Sequence, residues 1–585
     1  MSSKPIHLKM KGVPASPGIA IGKVYILKGD LVKVEQRDVE KSQIQSEIDS
    51  FETALELTKA DLMNLQSKAK SKIGKEGEKL FDVYKLLLED VAVIDETISR
   101  IKSERKNADY VYYSVMVKFQ ETLEAAKDEY FNGRVADIRD VKRRVIRHIQ
   151  GKRHSFLSRI AEKSIIVARE LTPLDTVQLD RSKVLAFATD VGGKTSHAAI
   201  MAQSLQIPSV VGLKNISTAV QNGDMLIING KMGEVIINPT KNELKFYHHV
   251  QSRYSSLRTR LESVKDLPAR TTDGKDIELS ANIEFPDDVQ SVKKFGARGI
   301  GLFRTEFLFL AKSELPTEED QYKEYFSVAK QVYPNNVIIR TLDIGGDKKP
   351  QCIDIPEEDN PFLGLRAIRY CLENPDVFKS QLRAILRASS LGNIKILFPM
   401  ISCIDEILHA KALIEEVKNE LRKQGKPFDE SIDYGVMIEV PSAAVIADLI
   451  AREVDFLSIG TNDLIQYMLA VDRGNEHISH LYSNYSLAIL RMIHSIIDAG
   501  HKQGVWVGMC GEMAADPNMT MLLVGMGMDE LSVTPSILPE IKTIIRSISL
   551  KETQQLAEKV LRQSSSKEAE KFITKVTQKR FSEFI

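Results

Sequence analysis

The spacing of apolar residues divides the chain into stretches of different character. Residues 12–28 hold a Pro- and Gly-bearing turn followed by alternating apolar and β-branched positions, which predicts a strand. From about residue 36 to 150 apolar residues recur at three- and four-residue intervals among many i,i+4 charge pairs, a helical pattern. No proline occurs between Pro17 and Pro173, and breaks are expected at Lys75-Glu76-Gly77 and Asn132-Gly133. Short apolar runs return at Ser164–Ala168, Val184–Ala188, Ser209–Val211 and Met225–Ile228, separated by Gly, Asp and Asn turns. They predict a small β/α domain, which the strand within 12–28 rejoins if the helical region is an insertion. Residues 241–262 are polar and lack Pro and Gly, with Tyr247, Val250, Tyr254, Leu257 and Leu261 at helical spacing, as in a linker helix.

The C-terminal half has a different rhythm. Eight apolar runs are separated mostly by helical patterns: Ile277–Ile283, Gly299–Phe303, Val337–Arg340, Ile394–Phe398, Gly435–Ile438, Phe456–Ile459, Trp506–Met509 and Leu531–Val533. Eight β/α repeats over about 260 residues suit a closed (β/α)8 barrel of the TIM type, and their regularity favours closure over a doubly wound sheet. The expected fold is multidomain α/β. Residues 1–30 supply a strand to a β/α domain completed by 156–240, with a helical domain, 31–155, inserted. The linker helix 241–262 leads to the barrel, 263–585.

Composition adds exclusions. The 585 residues include 80 Lys+Arg and 80 Asp+Glu, so no global charge points to nucleic acid or a membrane surface. No apolar run approaches a membrane span, and Met1-Ser2-Ser3-Lys4-Pro5 has no signal-peptide core. Four cysteines, Cys352, Cys371, Cys403 and Cys510, show no C-x-x-C spacing, so a reduced cytoplasmic protein is expected. Arg139, Lys142, Arg143, Arg144, Arg147, Lys152 and Arg153 form a basic cluster. With no aromatic residues interleaved for stacking, it reads as a solvated helix face.

Two places carry candidate chemistry. In Val191-Gly-Gly-Lys-Thr-Ser-His197-Ala-Ala-Ile-Met-Ala202, a histidine follows two glycines at the mouth of an amphipathic helix, with Thr195 and Ser196 as caps. A helix N-terminus receives phosphate, and a histidine there can carry a phosphoryl group; taken alone, the motif suits a capping or packing histidine equally. The second place is the set of barrel strand ends: Asn282, Arg304-Thr-Glu306, Arg340, Glu439, Asn462-Asp463 and Cys510-Gly-Glu512, with Arg473 on the loop beyond. Glu439 and Asp463 suit a hard divalent cation such as Mg2+, and the arginines suit phosphate. Cys510 reads either as a proton donor or as a small buried strand-end residue.

These stretches together resemble Enzyme I of the bacterial phosphotransferase system over nearly the whole chain. The resemblance rests on Ala15-Ser-Pro-Gly-Ile-Ala20, Ala136-Asp-Ile-Arg-Asp140, Gly-Gly-Lys-Thr-Ser-His197 and Gly301-Leu-Phe-Arg304-Thr-Glu-Phe-Leu. It continues in Arg340-Thr-Leu-Asp-Ile-Gly-Gly-Asp347, Asn360-Pro-Phe-Leu-Gly-Leu-Arg366, Ser458-Ile-Gly-Thr-Asn-Asp463-Leu, Asp472-Arg473-Gly and Gly508-Met-Cys510-Gly-Glu. It implies that His197 is phosphorylated by phosphoenolpyruvate, which Arg304, Arg340, Asn462 and Arg473 bind beside Asp463. Glu439 and Asp463 hold Mg2+, and Cys510 protonates the enolate as pyruvate forms. It further implies that the helical domain docks the histidine-containing carrier protein HPr and that the barrel forms a homodimer; Glu89 and Asp90 read either as contacts for a basic carrier or as solvated helix charges. The sequence departs from the family pattern at Lys194, Val440 and Ile465, where Arg, Thr and Thr are usual. A pyruvate–phosphate dikinase or phosphoenolpyruvate synthase needs a large nucleotide-binding domain, which this N-terminal region has no Gly-rich loop to supply. A non-catalytic regulatory protein has no need of the intact set of His197, carboxylates, arginines and Cys510.

Overall fold

The computed structural model describes residues 7–27, 34–73, 84–125, 135–151, 162–171, 183–193, 199, 202, 207–310, 314–346, 348, 350, 352–353, 356, 358–473, 475, 477–582 and 584. The expected breaks at Lys75-Glu76-Gly77 and Asn132-Gly133 lie outside them. The chain forms two compact units, Met1–Ser256 and Leu257–Ile585.

In the first unit eight strands form one mixed sheet: β1 (Leu8–Lys11), β2 (Val13–Ser16), β3 (Ile19–Leu27), β4 (Ser164–Ala168), β5 (Val184–Thr189), β6 (Ser209–Val211), β7 (Met225–Asn229) and β8 (Glu234–Ile237), in the order β1-β8-β7-β3-β4-β5-β6-β2. The N-terminal segment therefore makes three strands where the sequence pattern shows one, and β8 is an addition, the return strand of a hairpin with β7. The edge strands β1 and β2 are separated by Gly12 alone, so the sheet curls until its two edges meet there. A side chain at Gly12 would come within 2.5 Å of the Val211 carbonyl. Strand β3 pairs with both β4 and β7, which places the helices Ile44–Ile73, Val91–Glu104, Ala108–Ala125 and Val135–Ile149 as an excursion between β3 and β4.

Those helices enclose their own core, with Phe51, Tyr112, Val141 and Val145 fully buried. The basic cluster is more than a solvated face. Arg143 Nη2 and Arg144 Nε clamp the carboxylate of Asp140, which is buried, the Arg144 bond being 3.0 Å long. Those guanidinium groups hold the Asp140 carboxyl below its usual range against the opposing effect of burial. Lys152 and Arg153 lie outside the described residues. Asp90 caps the helix Val91–Glu104, its Oδ1 accepting from Ala92 N at 2.9 Å and Val93 N at 3.2 Å. A helix start needs such an acceptor, and this accounts for Asp90 without a carrier.

The predicted linker is a helix, Lys241–Ser263. Its first half is not free. Tyr247 packs on Ile227 and Ile236 and donates to Glu234 Oε2 at 2.6 Å, and Gln251 donates to the Ile19 carbonyl.

The second unit is a closed barrel of eight parallel strands: β9 (Glu278–Ile283), β10 (Ile300–Phe303), β11 (Val337–Arg340), β12 (Ile394–Phe398), β13 (Tyr434–Ile438), β14 (Phe456–Ile459), β15 (Trp506–Met509) and β16 (Glu530–Val533), closed by pairing of β16 with β9. Every apolar run predicted as a barrel strand is one. Outward residues of the strands join the helices in a large core. Inward residues Leu302, Ile338, Leu397, Met437 and Phe456 fill the barrel, with Trp506 stacked on Phe456 at 4.7 Å between centroids. Because all strands run the same way, the residues that follow β10, β11, β13, β14 and β15 emerge at one end.

Candidate active site at the barrel mouth

Arg304 follows β10, Arg340 ends β11, Glu439 follows β13, Asn462 and Asp463 lie three and four residues past β14, and Cys510 follows β15. All of these, with Arg473, line one cavity of about 120 Å3. That far exceeds the roughly 10–15 Å3 that a single water needs. Its walls hold five cations (Arg304, Arg340, Lys348, Arg366, Arg473) against three carboxylates (Asp343, Glu439, Asp463), an excess that suits a small polyanion.

The cations form two tiers. Arg340 and Arg366 are buried and tied into carboxylates. Arg340 reaches Glu306 Oε1 through Nη2 and Asp343 Oδ2 through Nη1 at 3.1 Å. Arg366 Nη2 bridges Asp343 Oδ1 and Asp463 Oδ2, both at 3.0 Å, and its Nη1 donates to the Tyr467 hydroxyl at 2.9 Å. Burial opposes the charge on both guanidiniums, but the facing carboxylates win and raise both pKa values; the same contacts hold Asp343 far below the usual carboxylate range. Buried Arg340 Nε has no hydrogen-bond partner among the described residues, leaving a donor for a ligand. Arg304, Lys348 and Arg473 form the outer tier, their side chains 35%, 33% and 41% exposed, free enough to close on an anion. Arg304 pairs with Glu284, and Arg473 approaches Glu512 at 3.9 Å.

Glu439 is buried, and one of its oxygens is spoken for: Oε1 accepts from Met400 N at 2.7 Å. Met400 is held at φ 57 to aim that N–H, a left-handed conformation that costs a non-glycine residue about 1–3 kcal/mol. The other oxygen looks into space kept clear by Gly460, where a Cβ would fall 2.8 Å from Oε2. Burial, then Asp463 and Asp343, push the Glu439 carboxyl up to about 8. Like-charged carboxylates gathered out of water are a donor set that suits a cation. Among the described residues no cluster of three or more His, Cys, Asp or Glu stands ready to enclose a metal. Two protein carboxylates with substrate and water completing the shell is the Mg2+ pattern, so these residues fit that ion.

Asn462 is fixed by a reciprocal pair with Glu512: its Nδ2 donates to Oε1 at 3.0 Å and its Oδ1 accepts from Glu512 N at 2.9 Å. Cys510 is buried, and burial pushes its thiol up to about 11, so it is protonated at neutral pH. Asn282 lies just before the end of β9 and does not line the cavity; its amide donates to the Cys510 carbonyl at 3.0 Å. Val440 and Ile465 pack in the barrel's outer core, and neither lines the cavity.

His197, Lys194, Thr195 and Ser196 lie outside the described residues. The approach to them is described. Asp190 accepts from Ser217 N at 2.8 Å, Leu213 N donates to the Thr189 carbonyl at 3.0 Å, and Gly212 leaves room for the Gly192 carbonyl. Beyond them, Ala199 and Ala202 are helical and buried.

Sequence reasoning on strand ends missed Asp343, Lys348 and Arg366. Asp343 and Arg366 lie inside the stretches Arg340–Asp347 and Asn360–Arg366, which carry the family resemblance.

Family models match in chain order: PEP-utilising enzyme, N-terminal, at residues 11–134; PEP-utilising enzyme, mobile domain, at 160–233; and PEP-utilising enzyme, PEP-binding domain, at 258–550. A phosphoenolpyruvate-protein phosphotransferase of Geobacillus stearothermophilus is 44% identical over 97% of this chain and 98% of its own. Its namesakes in Priestia megaterium and Staphylococcus aureus are each 43% identical, over 97% and 94% of this chain and 98% and 96% of theirs. The chain belongs to the phosphoenolpyruvate-protein phosphotransferase family. As a member of that family, it carries its PEP-binding match on the barrel unit, and the cavity lies within the matched residues. Among the described residues no helix is long and apolar enough to cross a membrane.

Proposed function

We propose that this chain transfers the phosphoryl group of phosphoenolpyruvate to its own His197, releases pyruvate, and passes the group to the carrier protein HPr, opening a phosphotransferase system for sugar uptake or its regulation. The observation that carries the reading is the barrel-mouth cavity, where five cations, a carboxylate pair and a protonated thiol converge. Arg304, Arg340 and Arg473 grip the phosphate and carboxylate, and Asn462 and Asp463 orient them. The loosely bonded phosphoryl group needs positioning and charge neutralisation more than covalent help. Glu439 and Asp463 would hold Mg2+, which when bound neutralises substrate charge. The His197 imidazole attacks phosphorus. The departing enolate then takes a proton at C3 from Cys510, whose thiol is kept protonated by burial.

The helical excursion of the first unit is the proposed carrier-docking part, and the phosphohistidine lies on the β/α part that completes it. The barrel unit is the proposed homodimerisation part. All four cysteines are unpaired, in keeping with a cytoplasmic location. The test is labelling with radioactive phosphoenolpyruvate and Mg2+, with and without HPr. Label is expected on the chain, chased onto HPr, and absent from His197→Ala; label retained by that variant overturns the assignment.

A further inference from the structure

Along β14 the side chains alternate. Leu457 and Ile459 join the outer core, while Phe456 belongs to the barrel interior. Ser458 shares the inward side with Phe456, at 4% exposure, where neighbouring strands place Leu302, Ile338, Leu397 and Met437. A hydroxyl set against these apolar side chains needs a partner, since burying it without one is unfavourable. Its partner is the sulfur of Cys510: Ser458 Oγ donates to Sγ at 3.4 Å, while Sγ–H points to the Ile459 carbonyl at 3.9 Å.

We propose that Ser458 is a positioning residue for the proton-transfer step, its hydroxyl held against Cys510 Sγ to stabilise the thiolate left when the thiol protonates the enolate. This rests on the reading of Cys510 as the acid. In that step the S–H bond breaks and its electron pair stays on sulfur. The C3–H bond forms from the enolate π pair, and the C2–O bond becomes the pyruvate carbonyl. After pyruvate leaves, the thiolate takes a proton from water.

The resting geometry suits this sequence. The thiol proton occupies a long, weak contact that it can leave at little cost, whereas the Ser458 donor already faces the sulfur lone pair. No dipole has to reorganise as negative charge appears. The apolar neighbours Leu302, Met437 and Phe456 offer a thiolate no donor. The charged groups around the thiol are Arg340 and Arg304, which favour the anion, and Glu439, which opposes it. The serine is the side chain that donates a hydrogen bond to the sulfur.

Ser458→Ala removes one oxygen, and Ser458→Thr keeps it. In single turnovers with phosphoenolpyruvate and Mg2+, phosphorylation of His197 is followed by label, and pyruvate by coupled reduction. Losing a hydrogen bond to a charged acceptor is expected to slow pyruvate formation about ten- to a hundredfold in Ser458→Ala. The phosphorylation phase should stay within about twofold, and the pH midpoint for alkylation of Cys510 should move upward. Ser458→Thr is expected to track the wild type in all three. Pyruvate release at the wild-type rate in Ser458→Ala, equal slowing of both phases, or equal loss in both variants would each overturn the inference. Cys510→Ala run in parallel separates the layers. If it is slow while Ser458→Ala is not, only the role of Ser458 falls; if it also runs at full rate, the acid assignment falls and takes this inference with it.

Discussion

Arg366→Met tests how the buried charge network at the barrel mouth is held. In the native protein one guanidinium serves Asp343, Asp463 and the Tyr467 hydroxyl, and Tyr467 in turn donates to the Phe362 carbonyl at 2.6 Å. Methionine keeps most of the volume and removes the charge. Asp343 then retains Arg340 at 3.1 Å and Lys348 at 3.6 Å, while Asp463 loses its charged partner. Stranding one side of a buried pair costs about 3–5 kcal/mol. The sole tryptophan, Trp506, lies on β15 and is stacked on Phe456, so its fluorescence reports on the barrel unit. With a urea slope of about 3 kcal/mol/M, the unfolding midpoint should fall by roughly 1–1.7 M in metal-free buffer. Asp343 adds a pH signature. Its folded pKa is depressed, so its contribution is present above the unfolded value of about 3.9 and is lost as pH falls through the folded value. Removing Arg366 brings the folded value back toward the unfolded one, so acid unfolding should begin at higher pH than in the wild type. Adding Asp463→Asn to Arg366→Met should recover part of the loss, because the stranded charge is gone. A midpoint shift below about 0.3 M, or a double variant as unstable as the sum of the singles, would refute the network as described.

Three shorter predictions follow from other contacts. Gly460→Ala puts a Cβ 2.8 Å from Glu439 Oε2, so Mg2+-dependent phosphorylation by phosphoenolpyruvate should drop at least about tenfold, as disturbed metal support does, with the Trp506 emission unchanged; full activity would show that Oε2 is not used. Asp140→Ala leaves Arg143 and Arg144 without their buried carboxylate and should destabilise the helical part of the first unit by about 3–5 kcal/mol, read as a lower thermal midpoint by circular dichroism. With its thiol near 11, Cys510 should resist iodoacetamide at pH 7 and gain reactivity about tenfold per pH unit up to that value, measured by mass of the labelled peptide; rapid labelling at pH 7 would contradict its burial.

The two units were legible to different degrees. Barrel strands stand out because a parallel strand with helices outside and packed side chains inside is apolar on both faces. Ile394–Phe398 and Val337–Arg340 keep their predicted limits unchanged. The N-terminal sheet was harder. Gly12, Pro17 and Gly18 (φ +131) divide residues 8–27 into pieces whose partners come from different parts of the sheet, and alternation within the segment carries no record of that. Asp90 shows the same limit at a helix start, since an exposed carboxylate reads alike as cap or contact until the amides in front of it are placed.

What the sequence by itself determined is the set of barrel strands, their common direction, and hence the gathering of Arg304, Arg340, Glu439, Asp463 and Cys510 at one mouth. Those follow from local periodicity and from chain order. Only the tertiary structure decided how that mouth is wired. Arg366 meets Asp463 across 97 residues, Met400 turns its amide onto Glu439 across 39, and Ser458 reaches Cys510 across 52. Such contacts are made between groups on different strands and loops. They exist only once the barrel has closed and brought them within hydrogen-bonding distance.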